Sequence, residues 1–248
     1  MKNLLLALLL FTVLPTLIQA QSAKEIVQKM SANAYGGKMY SAMNMTIVRP
    51  TWKRTMSLKS WSDGQDYSLI LITGPAREKG ISYLKRKKEM WNYQPSISRT
   101  IKMPPSMMSQ SWMGSDFKND DLVRQSSIVD DYTHTLLGSE TIEGRVCHKV
   151  QLIPNPDAPV VWGKVILWID QKDFIQIKSQ QFDEDQELVQ TMLGQNIKEM
   201  DGRIIATKQI LIPADEQGHQ TIMEYTNMDF DMPIDDQFFS TQNMKKIR

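Results

Sequence analysis

The sequence predicts a mainly β protein: one large antiparallel sheet that is strongly curved or nearly closed into a barrel. From Tyr40 onward, apolar and polar residues alternate with a period of two in roughly a dozen strand-length stretches. Turn signals such as Asp63-Gly64 and Asp201-Gly202 separate these stretches. Helical crossovers do not interrupt them, and parallel strands would need such long connections. A sandwich of two sheets is the alternative architecture.

The first twenty residues have the layout of a secretory signal peptide. Lys2 precedes an apolar run from Leu4 to Leu14, and the small residue Ala20 ends the region. The run is too short to span a bilayer as a helix, and a buried N-terminal helix is the alternative. We therefore predict a signal peptide over residues 1–20, followed by one domain over residues 21–248.

A short amphipathic helix is predicted at the start of the mature chain. Ser22 can cap it, and Glu25 stands three residues later, as in a capping box. Gly36-Gly37 ends it. The residues that share its apolar face are Ile26, Val27 and Met30. Such a helix is expected to lie on the sheet rather than stand alone.

The strands predict one largely apolar side of the sheet. In "EMWNYQP", Trp91 and Tyr93 lie on one face and Met90 on the other. Both faces of "KVILWID" are apolar, so this strand is expected to be covered on each side. A curved sheet with an apolar inner side can fill itself with its own side chains, or it can leave a cavity.

A methionine-rich stretch interrupts the series of strands between Ser98 and Leu122. Pro104-Pro105 removes two backbone donors and ends a strand. The large apolar residues that follow, in a loop or short helix, are Met107, Met108, Trp112, Met113 and Phe117. Methionine is flexible and polarisable, so it suits a surface that adapts to apolar partners. The stretch is either a plug at one end of the barrel or a movable lid.

Charge and cysteine content exclude several classes of protein. Removal of Lys2 leaves 28 basic and 28 acidic residues, so a general attraction to nucleic acid is not expected. The single cysteine, Cys147, cannot form an internal disulfide, and strand alternation indicates a buried, inert thiol.

The run "KRKKE" from Lys85 to Glu89 is either a solvated hairpin tip or a docking patch for anionic head groups or an acidic partner.

The sequence offers no catalytic or metal-binding motif. Its three histidines lack metal-ligand spacing, and GxSxG, GxGxxG and Walker-type loops do not occur. Clusters of acids such as "DEDQE" lie beside polar residues and turns, which favours solvated faces. We expect no enzyme activity, no cofactor and no metal.

The stretch "EMWNYQPSISRTIKMPPSMMSQSWMGSDFKNDDL" resembles the LolA-like periplasmic carriers, the lipoprotein-sorting proteins of Gram-negative bacteria. "WNYQP" is similar to the W-x-Y-x-P strand end of that family, and the strands on both sides fit it. The resemblance implies a half-open barrel with a helical or loop lid over an apolar cavity. It also implies a monomer in the periplasm that carries acylated lipoprotein or lipid cargo between an inner-membrane transporter and an outer-membrane acceptor.

The resemblance also implies which residues bind cargo. The residues expected at the acyl cavity and lid are Trp91, Tyr93, Met103, Met107, Met108, Trp112, Met113 and Phe117. The same motif includes Pro95, Pro104, Asp116, Asp120 and Asp121. Better-known carriers of this type hold the lid shut with an arginine, for which Arg49 and Arg54 are the candidates here. The alternative function is a lipid-sensing or scaffolding envelope module of the same fold that transports nothing.

Overall fold

Thirteen antiparallel strands form one sheet in this computed structural model, which describes residues 21–123, 128–158 and 160–247. The predicted signal peptide, residues 1–20, lies outside the described residues. The first six strands are β1 (Lys38–Arg49), β2 (Trp52–Asp63), β3 (Tyr67–Gly74), β4 (Ser82–Arg86), β5 (Glu89–Gln94) and β6 (Arg99–Lys102). The other seven are β7 (Tyr132–Ile142), β8 (Arg145–Pro154), β9 (Lys164–Asp170), β10 (Gln176–Phe182), β11 (Leu188–Met200), β12 (Arg203–Pro213) and β13 (Gln220–Asp229).

Two meanders make up this sheet, and they meet where β1 pairs with β13. The strand order is β6-β5-β4-β3-β2-β1-β13-β12-β11-β10-β9-β8-β7. Within the described ranges, β6 and β7 each pair on one side only, so the sheet is not closed. The half-open antiparallel architecture is confirmed, and a single sheet replaces the sandwich alternative.

In the described part of the chain, three α-helices accompany the sheet: α1 (Ala23–Tyr35), α2 (Asn119–Val123) and α3 (Asn243–Lys246). α1 begins as the sequence predicts. The backbone N–H of Glu25 donates to Ser22 Oγ, and the backbone N–H of Ser22 donates to the carboxylate of Glu25, which completes a capping box. The helix ends at Gly36, whose N–H donates to the carbonyl of Ala32.

One face of the sheet, here called the inner face, carries two apolar clusters. Directly opposed residues of paired strands share a face, so the register traces this face across all thirteen strands. It carries Tyr83, Leu58, Met45 and Met223 in one half, and Ser179, Leu167 and Val150 in the other. α1 covers the second half, where Ile26, Val27 and Met30 pack against β8 and β9. Residues 103–123, here called the methionine segment, cover the first half.

The opposite, outer face is covered over β3 to β5 by the C-terminal residues 230–247. Ile234, Phe239 and Met244 pack there against Leu69 and Leu84. Ser82 Oγ donates a 2.7 Å hydrogen bond to the carbonyl of Met244, which fixes α3 on β4. The sheet is therefore apolar on both faces in this region.

Strand β9, the third from one edge of the sheet, is covered on both faces, as its apolar sequence predicts. On the inner face Val165, Leu167 and Ile169 pack under α1. On the outer face Trp168 is buried beside Cys147. Burial raises the pKa of the Cys147 thiol to about 11, which agrees with the predicted inert thiol.

Candidate functional site

The methionine segment fills the inner face above β1 to β5. Its anchor is Trp112, which is 2% exposed and packs edge-on against Tyr83 with ring centroids 5.7 Å apart. Within the described residues, the buried indole Nε1 of Trp112 has no hydrogen-bond partner. The residues beneath this anchor are Met43, Met45, Ile47, Met56, Leu58, Ile72 and Met90. In this structure the segment is therefore the core of that half of the sheet.

Short turns rather than a regular element shape the segment. Pro104 and Pro105 end β6, because neither residue has a backbone N–H to continue the ladder. Turns of 3-10 helix follow at Pro105–Met107 and Trp112–Gly114. Asn119 closes the segment on itself, since its Nδ2 donates to the carbonyl of Met107 at 2.9 Å.

A buried ion pair fastens the segment to the sheet. The guanidinium of Arg49, at the end of β1, contacts both carboxylate oxygens of Asp116 at 2.9 and 3.2 Å. It also donates to the carbonyl of Gly114 at 3.1 Å. Thr221 Oγ donates to Asp116 Oδ2 at 2.6 Å and accepts from the Asp116 backbone N–H at 2.9 Å. The Asp116 side chain is only 3% exposed, so these partners, rather than water, stabilise the carboxylate.

The second candidate arginine, Arg54, also contacts the segment. Its Nη2 donates to the carbonyl of Met113, and its Nη1 lies 4.0 Å from a carboxylate oxygen of Glu78. Met113 and Gly114 have φ values of 54° and 76°, which turn the chain back towards this guanidinium. Both predicted arginines thus lie at the same turn of the methionine segment.

A cleft of about 210 Å³ lies between the segment and the outermost strands. Its lining is half polar: Tyr83, Asn92, Gln94, Ile101, Met103, Met107, Gln110, Ser111, Met113 and Asn119. Burial raises the pKa of Tyr83 to about 12, so its hydroxyl stays protonated and donates to Met113 Sδ at 2.9 Å. Sites for drug-sized ligands occupy roughly 300–1,000 Å³. The cleft is smaller, so an acyl chain would have to displace part of the segment.

The structure brings together six of the eight residues predicted at the cavity and lid. These six are Met103, Met107, Met108, Trp112, Met113 and Phe117. Trp91 and Tyr93 lie instead on the outer face, where they pack near the C-terminal residues. The reason is the alternation of β5, which places Met90 inside and Trp91 outside.

Sequence reasoning did not select several residues that build the site. Asn92 and Gln94 line the cleft, and the alternation that separates Met90 from Trp91 already assigns both to the inner face. No local sequence pattern marks Thr221 or Tyr83 as part of the site. Thr221 contacts Asp116, 105 positions away, and Tyr83 contacts Met113, 30 positions away.

One group of side chains near the segment has ligand-type atoms close together. One such atom each from Asp116, Glu216 and His219 lie within 4.8 Å of one another. Asp116 already accepts from Arg49 and Thr221, and the adjacent guanidinium disfavours a second cation. This group therefore does not provide a good metal site.

Comparison with protein families assigns the chain. A family model described as "Uncharacterized protein" matches residues 64–246, which is 183 of the 248 residues. The chain belongs to this family. The comparison with curated proteins gives no match.

Solved structures show the same fold over most of the chain. A DUF1329 family protein from Desulfovibrio piger has a TM-score of 0.81 at 24% identity, over 90% of this chain and 97% of that one. A putative outer membrane lipoprotein-sorting protein domain from Vibrio parahaemolyticus has a TM-score of 0.77 at 21% identity, over 90% and 98%. A LolA superfamily protein from Nitrosomonas europaea has a TM-score of 0.75 at 23% identity, over 90% and 99%.

These likenesses confirm the LolA-like fold that the motif around Trp112 predicts. At such identities they concern the fold alone. None of the helices in the described ranges has the length and apolar character needed to cross a membrane.

Proposed function

We propose that the protein is a periplasmic carrier that binds the acyl chains of lipoproteins or lipids on the inner face of its sheet. The observation that carries this proposal is the cover of that face. One half is covered by an irregular methionine segment, and a few side chains, Arg49 and Arg54 among them, fasten it to the sheet. Displacing the segment would expose a groove lined by methionine and aliphatic side chains.

Cargo binding in this scheme is an exchange of one apolar layer for another. Each buried methylene contributes about 0.8 kcal/mol, so an acyl chain can replace the contacts that Trp112 and its neighbours make. The net affinity is reduced by the free energy of opening the segment, which keeps the cargo transferable. The mechanism contains no covalent step, and the protein is not an enzyme in this proposal.

The likeness to lipoprotein-sorting folds supports a proposed route for the cargo. The donor would be an inner-membrane transporter and the acceptor an outer-membrane component, with the protein acting as a monomer between them. Export through the predicted signal peptide would place it in that compartment.

The first experiment tests the binding surface with a fluorescent fatty acid. The variant Met107→Ser/Met108→Ser removes two half-buried methionines of the segment. We expect roughly tenfold weaker binding, because in this scheme the segment closes over the bound acyl chain, and polar side chains there replace apolar contacts worth on the order of 1–2 kcal/mol. The matched control is Met200→Ser/Met232→Ser, which removes two half-buried methionines from other clusters. Equal binding by both variants would contradict the proposed surface.

The second experiment tests the fastening of the segment. The variant Asp116→Ala breaks the ion pair and leaves the buried guanidinium of Arg49 without this partner, so the segment opens more easily. Fatty-acid binding should then become tighter, because less free energy is spent on opening. The control Asp170→Ala breaks an ion pair of Arg145 with a similarly buried aspartate in β9. Weaker or unchanged binding in the first variant would show that the segment does not compete with cargo.

A second candidate function is a lipid-sensing or scaffolding module that transports nothing. The buried Trp112 and the small cleft favour it, because a filled inner face can serve as a fixed core. Transfer of bound lipid from the purified protein to acceptor vesicles separates the two. Retention of lipid without transfer would favour the sensing module.

A further inference from the structure

Strands β4 to β6 and the loop before them, residues 77–102, form a strongly basic edge of the sheet, here called the basic rim. The rim contains two acids, Glu78 and Glu89, and eight basic residues. The basic residues are Arg77, Lys79, Lys85, Arg86, Lys87, Lys88, Arg99 and Lys102. The rest of residues 21–248 contains 20 basic and 26 acidic residues. The mature chain has no net charge, but the rim is positively charged and the remainder is negatively charged.

The exposed cations concentrate at the hairpin between β4 and β5. Arg86, Lys87 and Lys88 are exposed there, and Arg86 is opposite Glu89 in the register. The neighbouring Lys102 lies on the outermost strand and contacts the carboxylate of Glu89. The acids next to the tip are Glu89 and Asp66, whose backbone carbonyl accepts from the Lys87 N–H, so the three cations of the tip and Lys102 outnumber them.

Apolar side chains stand exposed along the same edge. Ile97 is 58% exposed and Ile101 is 43% exposed, and both belong to the turn and strand that end the sheet. Trp91 lies half-buried on the neighbouring strand, with Lys102 Nζ 5.6 Å from its ring centroid. Ile101 neighbours Lys102 in β6, whereas Ile97 lies in the turn at the other end of β5 from the hairpin tip. Cations and apolar side chains thus follow the length of this edge, which is typical of a surface that meets a layer with both apolar and anionic parts.

The edge is poorly suited to an added peptide strand. β6 is only four residues long, and Pro95, Pro104 and Pro105 stand close to its two ends. Charged side chains and prolines at an edge oppose strand addition. An anionic lipid surface needs no free strand, and it offers head-group charge above an apolar layer.

We propose that the basic rim docks on an anionic membrane surface, with Arg86, Lys87 and Lys88 on the head groups and Ile97 and Ile101 at the apolar boundary. Ile101 also lines the cleft, so docking would bring the cleft to the membrane. The inference concerns how the protein meets a membrane, and it stands apart from acyl-chain binding.

Co-sedimentation of the whole mature protein with vesicles tests the proposal. The vesicles are pure phosphatidylcholine, or phosphatidylcholine and phosphatidylglycerol in equal parts. We expect salt-sensitive binding to the second kind only. The variant Arg86→Gln/Lys87→Gln/Lys88→Gln should bind about a hundredfold more weakly, because each basic residue near an anionic surface contributes about fivefold.

The matched control is Lys53→Gln/Lys172→Gln/Lys198→Gln, which removes three exposed lysines elsewhere and gives the same net charge. It should bind within about twofold of the wild type, since its lysines lie away from the rim. Equal loss in both triple variants would attribute binding to net charge and overturn the proposal. Absence of wild-type binding would also overturn it, as would binding of polyglutamate but not of vesicles, which would indicate an acidic protein partner.

The same variants separate this proposal from the carrier proposal. The rim triple variant should bind the fluorescent fatty acid like the wild type, because its substitutions are at the hairpin tip and not in the cleft. Loss of vesicle binding with normal fatty-acid binding supports docking at the rim. If the rim triple variant loses both kinds of binding and no longer unfolds cooperatively, the measurement is repeated with the single variant Ile97→Ser. This variant should still weaken vesicle binding. Unchanged vesicle binding by Ile97→Ser would reject docking at the rim.

Discussion

The two halves of the inner face are covered in contrasting ways. Over β7 to β9 the cover is α1, a regular thirteen-residue helix with Ile26 and Val27 fully buried. Over β1 to β5 the cover is the methionine segment, which is irregular and has four methionines and a tryptophan. Both covers bury apolar surface, but branched aliphatic side chains specify one packing and methionine accepts many.

The polar contacts of the two covers differ as well. α1 satisfies its own backbone, and the capping box completes its first turn. The methionine segment is held partly by Arg49, whose guanidinium is largely buried, and by the half-exposed Arg54. Under the proposed carrier function, α1 covers a permanent core and the methionine segment is a replaceable layer, so changes in the two halves should have different consequences.

The largest expected effect is that of Trp112→Ala. It removes the anchor of the segment and should lower the free energy of unfolding by about 4 kcal/mol if the segment stays docked. Urea unfolding followed by circular dichroism measures this. A change below about 1 kcal/mol would show that the segment is undocked in solution for most of the time.

Ile26→Ala is the matched substitution under α1, where a loss of about 3 kcal/mol is expected. Hydrogen exchange distinguishes the two variants. Trp112→Ala should deprotect amides of the methionine segment while α1 remains protected, because a replaceable layer opens locally. Deprotection of α1 to the same extent would mean that the two halves unfold as one unit.

Lys85 provides a pH-dependent test of the half under the segment. It is buried on the inner face opposite Met90, and desolvation lowers its pKa from 10.5 to about 8. Below pH 8 the folded state contains this buried charge, and the penalty disappears as the pH rises through the window from 8 to 10.5. Lys85→Met should therefore raise the free energy of unfolding by up to about 3 kcal/mol at pH 7.

The gain from Lys85→Met should shrink towards zero by about pH 10.5, because the wild-type lysine is then neutral in both states. Urea unfolding of the two proteins at a series of pH values measures the difference. Lys53→Met, at an exposed lysine, is the control and should show no such trend. A gain that is constant with pH would show that packing, rather than charge, explains the effect.

The smallest expected effect is that of Ser22→Ala at the start of α1. Loss of the hydroxyl that accepts from the Glu25 N–H should lower the free energy of unfolding by about 1 kcal/mol. Fatty-acid binding should stay unchanged, since this cap supports the permanent half. Altered binding would show that α1 also takes part in opening. Ser22→Asn, which can still cap the helix, should restore stability.

Local patterns predicted most of the fold because they depend on neighbours in sequence. The capping box of Ser22 and Glu25, the Asp201-Gly202 turn and the two-sided burial of β9 all follow from spacing. The outer location of Trp91 follows from the same alternation, but the likeness to a family motif assigned it to the cavity instead. The C-terminal residues that cover Trp91 come some 140 positions later, so no local pattern indicated this cover.

The fastening of the segment was harder to predict than its composition. The methionines and Trp112 stand out in the sequence, whereas the pairing of Arg49 with Asp116 joins residues 67 positions apart. Thr221 completes it from the last strand of the sheet. Such contacts depend on the three-dimensional path of the chain, and single-sequence spacing does not encode that path.

The strand order has a consequence for how the inner face can be uncovered. β6 and β7 are consecutive in the chain and stand at the two far edges of the sheet. The connection between them must run from one edge to the other, and the methionine segment is part of that connection. The connection is therefore joined to the sheet at both of its ends, and the methionine segment is not a flap that swings on one hinge. The groove would open when the methionine segment shifts sideways along the inner face, so that a hydrocarbon chain enters lengthwise between the segment and the sheet.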